Sequence, residues 1–159
     1  MRFGVPFCAQ HSETKLGLCI HETTLDGFDF DGLFACRKFR KGQRVVQYHG
    51  DVMSSEAFDS RYDFDVEGHA PYAVRLTNGV VIDAASFRGL AAFANTHPVQ
   101  NNCRIVQTGP ERAHLVATKD VVAGQEFFAD YGQFMDFSQQ LFLTSRHPVP
   151  PYLKKSVPT

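Results

Sequence analysis

Asn78-Gly79 stands between two apolar, β-branched runs, Tyr72-Ala73-Val74-Arg75-Leu76 and Val80-Val81-Ile82-Asp83. Asn-Gly supplies the positive-φ positions of a type I′ turn, so this stretch is expected to form a β-hairpin. The same alternation of short runs and breakers recurs along the chain. Leu16, Leu18 and Ile20 alternate as in a strand. Asp26-Gly27 and Asp31-Gly32 read as turns, followed by a short apolar strand at 33–36. Lys41-Gly42 marks a tight turn before the strand run 45–48, and 103–107 pairs with 114–118 around Gly109-Pro110. Residues 126–129 read as the last strand. Helix is sparse. Residues 54–62 look like a short capped helix, and 90–94 like a helical turn. Phe134, Phe137, Leu141 and Phe142 space as on a C-terminal helix that Pro148, Pro150 and Pro151 end. The fold class expected is mostly β with a few short helices.

With 159 residues the chain is expected to form one domain. A chain of this size buries about 68–70% of its unfolded surface, enough for a core without staples. Fifteen Phe and no Trp make phenylalanine the core aromatic. A formal net charge of −1 argues against general nucleic-acid binding, which needs a basic face. The acids cluster instead: Asp51, Glu56, Asp59, Asp63, Asp65 and Glu67 share one stretch. It is either a solvated loop or a wall that attracts a basic peptide. No apolar run reaches the ~18 residues that span a bilayer, so no membrane partner is expected. The N-terminus lacks an apolar signal core, and the four cysteines, Cys8, Cys19, Cys36 and Cys103, contain no Cys-x-x-Cys pair. A reducing intracellular compartment with free thiols is the expectation. Cys8, His11, Cys19 and His21 carry zinc-binding groups, but their spacing matches no usual zinc pattern; ordinary thiol and imidazole packing is the alternative, and no metal is expected.

Four blocks, taken in order, resemble the SET domain of protein-lysine methyltransferases. The first is Gly32-Leu33-Phe34-Ala35 with Phe39-Arg40-Lys41-Gly42 and Tyr48-His49-Gly50-Asp51. The second is Val81-Ile82-Asp83-Ala84, similar to the family's Ile-Asp-Ala strand. The third, Phe93-Ala94-Asn95-Thr96-His97-Pro98-Val99-Gln100-Asn101, stands where the family has Arg-Phe-Ile-Asn-His-Ser-Cys-x-Pro-Asn. The fourth, Ala123-Gly124-Gln125-Glu126-Phe127-Phe128-Ala129-Asp130-Tyr131-Gly132, is similar to the family's Gly-Glu-Glu-Leu-x-x-Asp-Tyr-Gly close. The resemblance implies a β-clip-like fold of several small sheets with a knot-like C-terminal arrangement. It divides the chain into a flanking segment 1–25, a SET domain 26–132, and a C-terminal helix and tail 133–159 packing on that domain. No cysteine-rich motif follows Tyr131.

The resemblance further implies S-adenosyl-L-methionine as cofactor, S-adenosyl-L-homocysteine as product, and a basic lysine-containing peptide or histone tail as partner. Cofactor-binding positions carried over are Asp31, Gly32, Leu33, Phe34, Asn95, Thr96, His97 and Tyr131. Tyr72, Ala129, Phe128 and Tyr48 carry over as the substrate side. Methyl transfer to an amine is an in-line displacement, so the protein must align donor and acceptor. An aromatic channel lowers the amine pKa by desolvation, and by resemblance Tyr131 is the catalytic residue that orients the lone pair. Ala129 stands where a bulky family residue limits the methyl count, so space for di- or trimethylation is expected. Phe30 and Thr96 replace a family glycine and histidine. They favour the alternative, a catalytically inactive SET-like interaction module. A histone substrate implies the nucleus, and any other substrate the cytoplasm.

Overall fold

A computed structural model describes residues 2–3, 9–25, 27–62, 72–97 and 99–130. Among the described residues eleven short strands are arranged as small sheets. Strands β4 (Arg44–Gln47), β9 (Cys103–Gly109), β10 (Arg112–Ala117) and β11 (Ala129–Asp130) form a four-stranded sheet in the order β11-β9-β10-β4. Strands β5 (Asp51–Met53), β6 (Ala73–Arg75) and β7 (Val81–Asp83) form a three-stranded sheet in the order β5-β7-β6. A long hairpin joins β2 (Leu18–Leu25) to β3 (Phe28–Ala35), and β1 (Arg2–Phe3) pairs in parallel with β8 (Phe87–Arg88). Helix is confined to α1 (Ala9–His11) with a π-helical turn at Ser12–Leu16, α2 (Ser55–Arg61), and a 3-10 turn at Leu90–Phe93.

The strands alternate as their period requires. Ala113, Leu115 and Ala117 of β10 face inward with Cys103 and Ile105 of β9. Phe39 and Phe127, both fully buried, meet edge to face at 5.3 Å in the same core as Leu18, Leu33 and Val121. A smaller cluster packs Phe58 of α2 on Ala73 and Val81. Helix α2 begins as the sequence suggests, with the Ser54 hydroxyl accepting from the Ala57 N–H at 3.2 Å. Its last turn is pinned by Asp83, whose fully buried carboxylate accepts from Arg61 Nη1 (2.9 Å), the Tyr62 hydroxyl (2.8 Å) and the Ala85 N–H (3.0 Å).

The 73–83 hairpin forms, with a different turn. Gly79 has φ 82°, whereas Asn78 does not have positive φ. The Gly79 N–H donates to Leu76 O (3.0 Å) and the Leu76 N–H to Val80 O (2.7 Å), which makes a three-residue loop with glycine in the left-handed position. Asn78 is drawn outward: its Nδ2 donates to Pro110 O at 2.7 Å, while Thr77 donates through its N–H and hydroxyl to Gln107 Oε1. Tertiary bonds to the β9–β10 hairpin thus decide the turn.

Asp31-Gly32 is no turn; it lies inside β3. Glycine is required there because a Cβ would collide with Oε1 of Glu126 and stand 2.9 Å from its Cδ. Residues 126–128 make single bridges rather than a strand, Phe34↔Glu126 and Asn95↔Phe128, before β11 joins β9 in parallel. The sulfurs of Cys19 and Cys36 meet across the foot of the β2–β3 hairpin, Cα–Cα 6.5 Å. Cys103 is free and buried, and burial pushes its thiol pKa up. The His21 ring meets Phe34 edge to face at 5.6 Å. Cys8, Tyr131 and the 134–142 helix lie outside the described residues. Among the described residues no helix is long and apolar enough to cross a membrane.

Two stability predictions follow from this packing. Asp83→Ala should cost about 2–3 kcal/mol, the range of charge-assisted hydrogen bonds, as read by urea unfolding; a loss under 0.5 would mean that α2 is not pinned there. Gly32→Ala should destabilise by about 1–3 kcal/mol, and Glu126→Ala should remove most of that penalty in the double variant, whereas simple additivity would show that the two positions are not in steric conflict.

Candidate donor site at the Asn95 loop

Three chain segments converge on Asn95. Its Nδ2 donates to Asp31 O in β3 (3.2 Å) and to Glu126 Oε1 in the closing segment (2.9 Å). Its carbonyl accepts from the Ala129 N–H at 2.7 Å. The second carboxylate oxygen of Glu126 accepts from the Thr23 hydroxyl of β2 at 2.8 Å. Phe127 is tied to Leu33, its N–H donating to the Leu33 carbonyl at 2.7 Å. Asn102 completes the frame as a side-chain surrogate for a strand edge: Nδ2 donates to Glu126 O and Oδ1 accepts from the Phe128 N–H, both at 2.9 Å. Each bond satisfies a group that the crossing of the segments would otherwise bury unpaired.

The candidate cofactor residues occupy distinct places in this frame. Asp31 is exposed and Gly32 buried. Leu33 is fully buried, so its side chain belongs to the core and its carbonyl is engaged by Phe127. Phe34 is half-buried. Asn95, Thr96 and His97 are all half-buried beside Phe128. The His97 imidazole caps its own loop. Nδ1 accepts from the N–H groups of Val99 (3.1 Å) and Gln100 (3.0 Å), and the His97 N–H donates to Asn101 Oδ1 at 3.1 Å. The ring lies 5.2 Å from that of Phe128. An acceptor role at Nδ1 leaves the proton on Nε2.

The candidate substrate residues Tyr48 and Tyr72 are joined directly. Tyr48 is buried, and its hydroxyl donates to Tyr72 O at 2.9 Å; the same carbonyl accepts from the Ala84 N–H at 3.1 Å. Tyr72 has φ 67°, a left-handed conformation that costs a non-glycine residue on the order of 1–3 kcal/mol and persists where surroundings over-determine it. Its ring carries the guanidinium of Arg88, 3.5 Å from the centroid, and Phe93 lies on the same cation at 5.7 Å. Phe93 ends the 3-10 turn that leads to Asn95, which connects this aromatic wall to the donor frame. Ala129 is fully buried in β11, and Asp130, the last described residue, directly precedes Tyr131 in the chain.

The acidic stretch is partly neutralised. Asp51 pairs with Arg61 at 3.0 Å and Asp59 with Arg75 at 3.1 Å. Glu56 sits in the first turn of α2, where hydrogen bonds from its own backbone N–H and from the Ser54 hydroxyl lower its pKa. Asp63, Asp65 and Glu67 are outside the described residues. Among the described residues no group of three His, Cys, Asp or Glu side chains could hold a metal ion. Glu126, Asn102, Thr23 and Arg88 were missing from the sequence-derived site. Glu126 lay inside a quoted block and Asn102 directly after one; Thr23 and Arg88 act through long-range contacts that no local pattern marks.

Comparison with known proteins agrees with this geometry. Residues 31–132 match the SET domain. Histone-lysine N-methyltransferase EZH2 of Chaetomium thermophilum is 32% identical over 111 residues, 64% of this chain and 7% of that protein. Histone-lysine N-methyltransferase 2B of Homo sapiens is 32% identical over 104 residues, 63% of this chain and 4% of that protein. The chain thus spans less than a tenth of the length of either relative. A solved structure of ctPRC2 in an autoinhibited conformation bound to S-adenosylmethionine shares the fold, with a TM-score of 0.60 and 24% identity over 81% of this chain and 17% of that one. Since the family match extends over more than half of the 159 residues, and the frame around Asn95 joins the same blocks, the chain belongs to the SET-domain family.

Proposed function

We propose that this chain is an S-adenosylmethionine-dependent protein-lysine N-methyltransferase acting on a basic peptide, with a histone tail as its substrate class. The observation that carries the reading is the convergence of Asp31 and Glu126 on Asn95, with Glu126 five residues before Tyr131 in the chain. Half-buried polar groups beside the rings of Phe34, Phe128 and His97 suit a ligand with a charged amino-acid end and a flat base. Asp31, Gly32 and Asn95 through His97 would hold it, largely through backbone groups. S-adenosylmethionine supplies an electrophilic methyl group when bound.

The remaining work falls to the chain's own residues. Rigid strands fix the donor frame relative to the Tyr48–Tyr72 wall, which is the alignment an in-line displacement needs. Apolar walls disfavour the lysine ammonium and so favour the neutral amine. The Tyr131 hydroxyl would accept a hydrogen bond from that amine and so orient the amine lone pair for attack. Nuclear location follows if histone is the substrate.

A second reading, a SET-like interaction module without catalysis, is favoured by Thr96 and by the use of His97 Nδ1 within its own loop. Methyl transfer to a histone mixture separates the two. Tyr131→Phe should lower turnover by about 10²-fold or more, the scale of a misaligned reacting group, while binding of S-adenosylhomocysteine stays within a few-fold. An unchanged rate in the variant would remove Tyr131 from the mechanism. The small Ala129 supports products beyond one methyl, so mass spectrometry should find di- or trimethyl-lysine; strictly monomethylated product would contradict that assignment.

A further inference from the structure

Arg88 is a buried cation that pairs with no anion among the described residues. It is 9% exposed, and its Nε makes no hydrogen bond. Among the described residues no carboxylate pairs with it; the ion pairs use Lys38, Arg61 and Arg75 instead. Its contacts are the faces of Tyr72 and Phe93. Stacking on rings offsets only part of the cost of removing a guanidinium from water, so a group in this setting is completed by an anion. Arginine is the side chain suited to that task, since its planar fork matches a carboxylate in two parallel hydrogen bonds.

The mounting of Arg88 is rigid. Tyr72 beneath it is held in its left-handed conformation by the Tyr48 hydroxyl and the Ala84 N–H. Arg88 itself ends β8 and sits two residues before the 3-10 turn that delivers Phe93 and then Asn95. The cation is thus linked to the frame assigned to the donor through Phe93, which lies 5.7 Å from it and two residues before Asn95 in the chain. We infer that Arg88 is the anchor for the amino-acid carboxylate of S-adenosylmethionine, an assignment that rests on the donor-site reading above. Pairing would neutralise the guanidinium, and Tyr72 would act through Arg88 as a positioning residue rather than only as a substrate wall.

Calorimetric titration of the full chain with S-adenosylmethionine and with its decarboxylated analogue tests this. Wild type should bind the decarboxylated compound at least about tenfold more weakly, the effect of one lost charge-assisted pair. Arg88→Met should abolish the difference by weakening the first ligand alone, and Arg88→Lys should restore part of it. The ligand-free Arg88→Met protein should melt at or above the wild-type temperature, since it loses an unpaired buried charge. Equal affinities of wild type for the two compounds would overturn the inference and leave the donor site standing, and this comparison needs no variant to fold. A difference that persists in Arg88→Met, with a lowered melting temperature, would mark Arg88 as structural and also overturn it. Wild type that binds neither compound would overturn the donor-site reading itself.

Discussion

The Glu126 carboxylate is the joint on which the rest of the site depends. One oxygen takes the hydroxyl of Thr23 and the other the amide of Asn95, residues 103 and 31 positions away in the chain. Charge-assisted bonds of this kind contribute about 1.5–3 kcal/mol each, but their geometric effect is larger than their energy. Backbone bonds such as Phe127 N–H to Leu33 O already hold the closing segment to β3; the two directed bonds at the Glu126 carboxylate tie it to β2 and to Asn95 as well. The glycine at position 32 exists to leave room for that carboxylate. Asn102 repeats the device on the backbone side, holding Glu126 O and the Phe128 N–H.

Around this joint the small sheets act as mounts. The four-stranded sheet carries the closing segment through β11, and the three-stranded sheet carries the Tyr72 wall through β6 and β7. Both faces of the site are therefore short connecting segments held at their ends by strands. In the proposed reaction there is little covalent chemistry for the protein to perform. What it supplies is alignment and a dry channel, and both depend on rigidity. The strained backbone of Tyr72, fixed by two hydrogen bonds to its carbonyl, fits that division of labour.

Local signals were legible and distant ones were not. The Ser54 cap, the 73–83 hairpin and the β9–β10 pair follow from nearest-neighbour chemistry, and they form where the residues say. Asn78-Gly79 suggested the wrong turn type because Asn78 is used by Pro110, 32 positions away. Asp31-Gly32 looked like a turn because the reason for its glycine, Glu126, is invisible in local sequence. The Cys19–Cys36 contact depends on hairpin register, which composition does not encode. Asn95 could be picked out by its place in an ordered block, whereas Arg88 could not, since its meaning lies in the partner it lacks.

The central claim is that the frame around Asn95 binds an S-adenosyl sulfur ligand. Titrating the full chain with S-adenosylhomocysteine, followed by heat and by the shift in melting temperature, tests it most directly. The account predicts saturable one-site binding in the micromolar range and a melting temperature that rises with ligand concentration. A folded protein that gives no heat and no shift at millimolar ligand would contradict it.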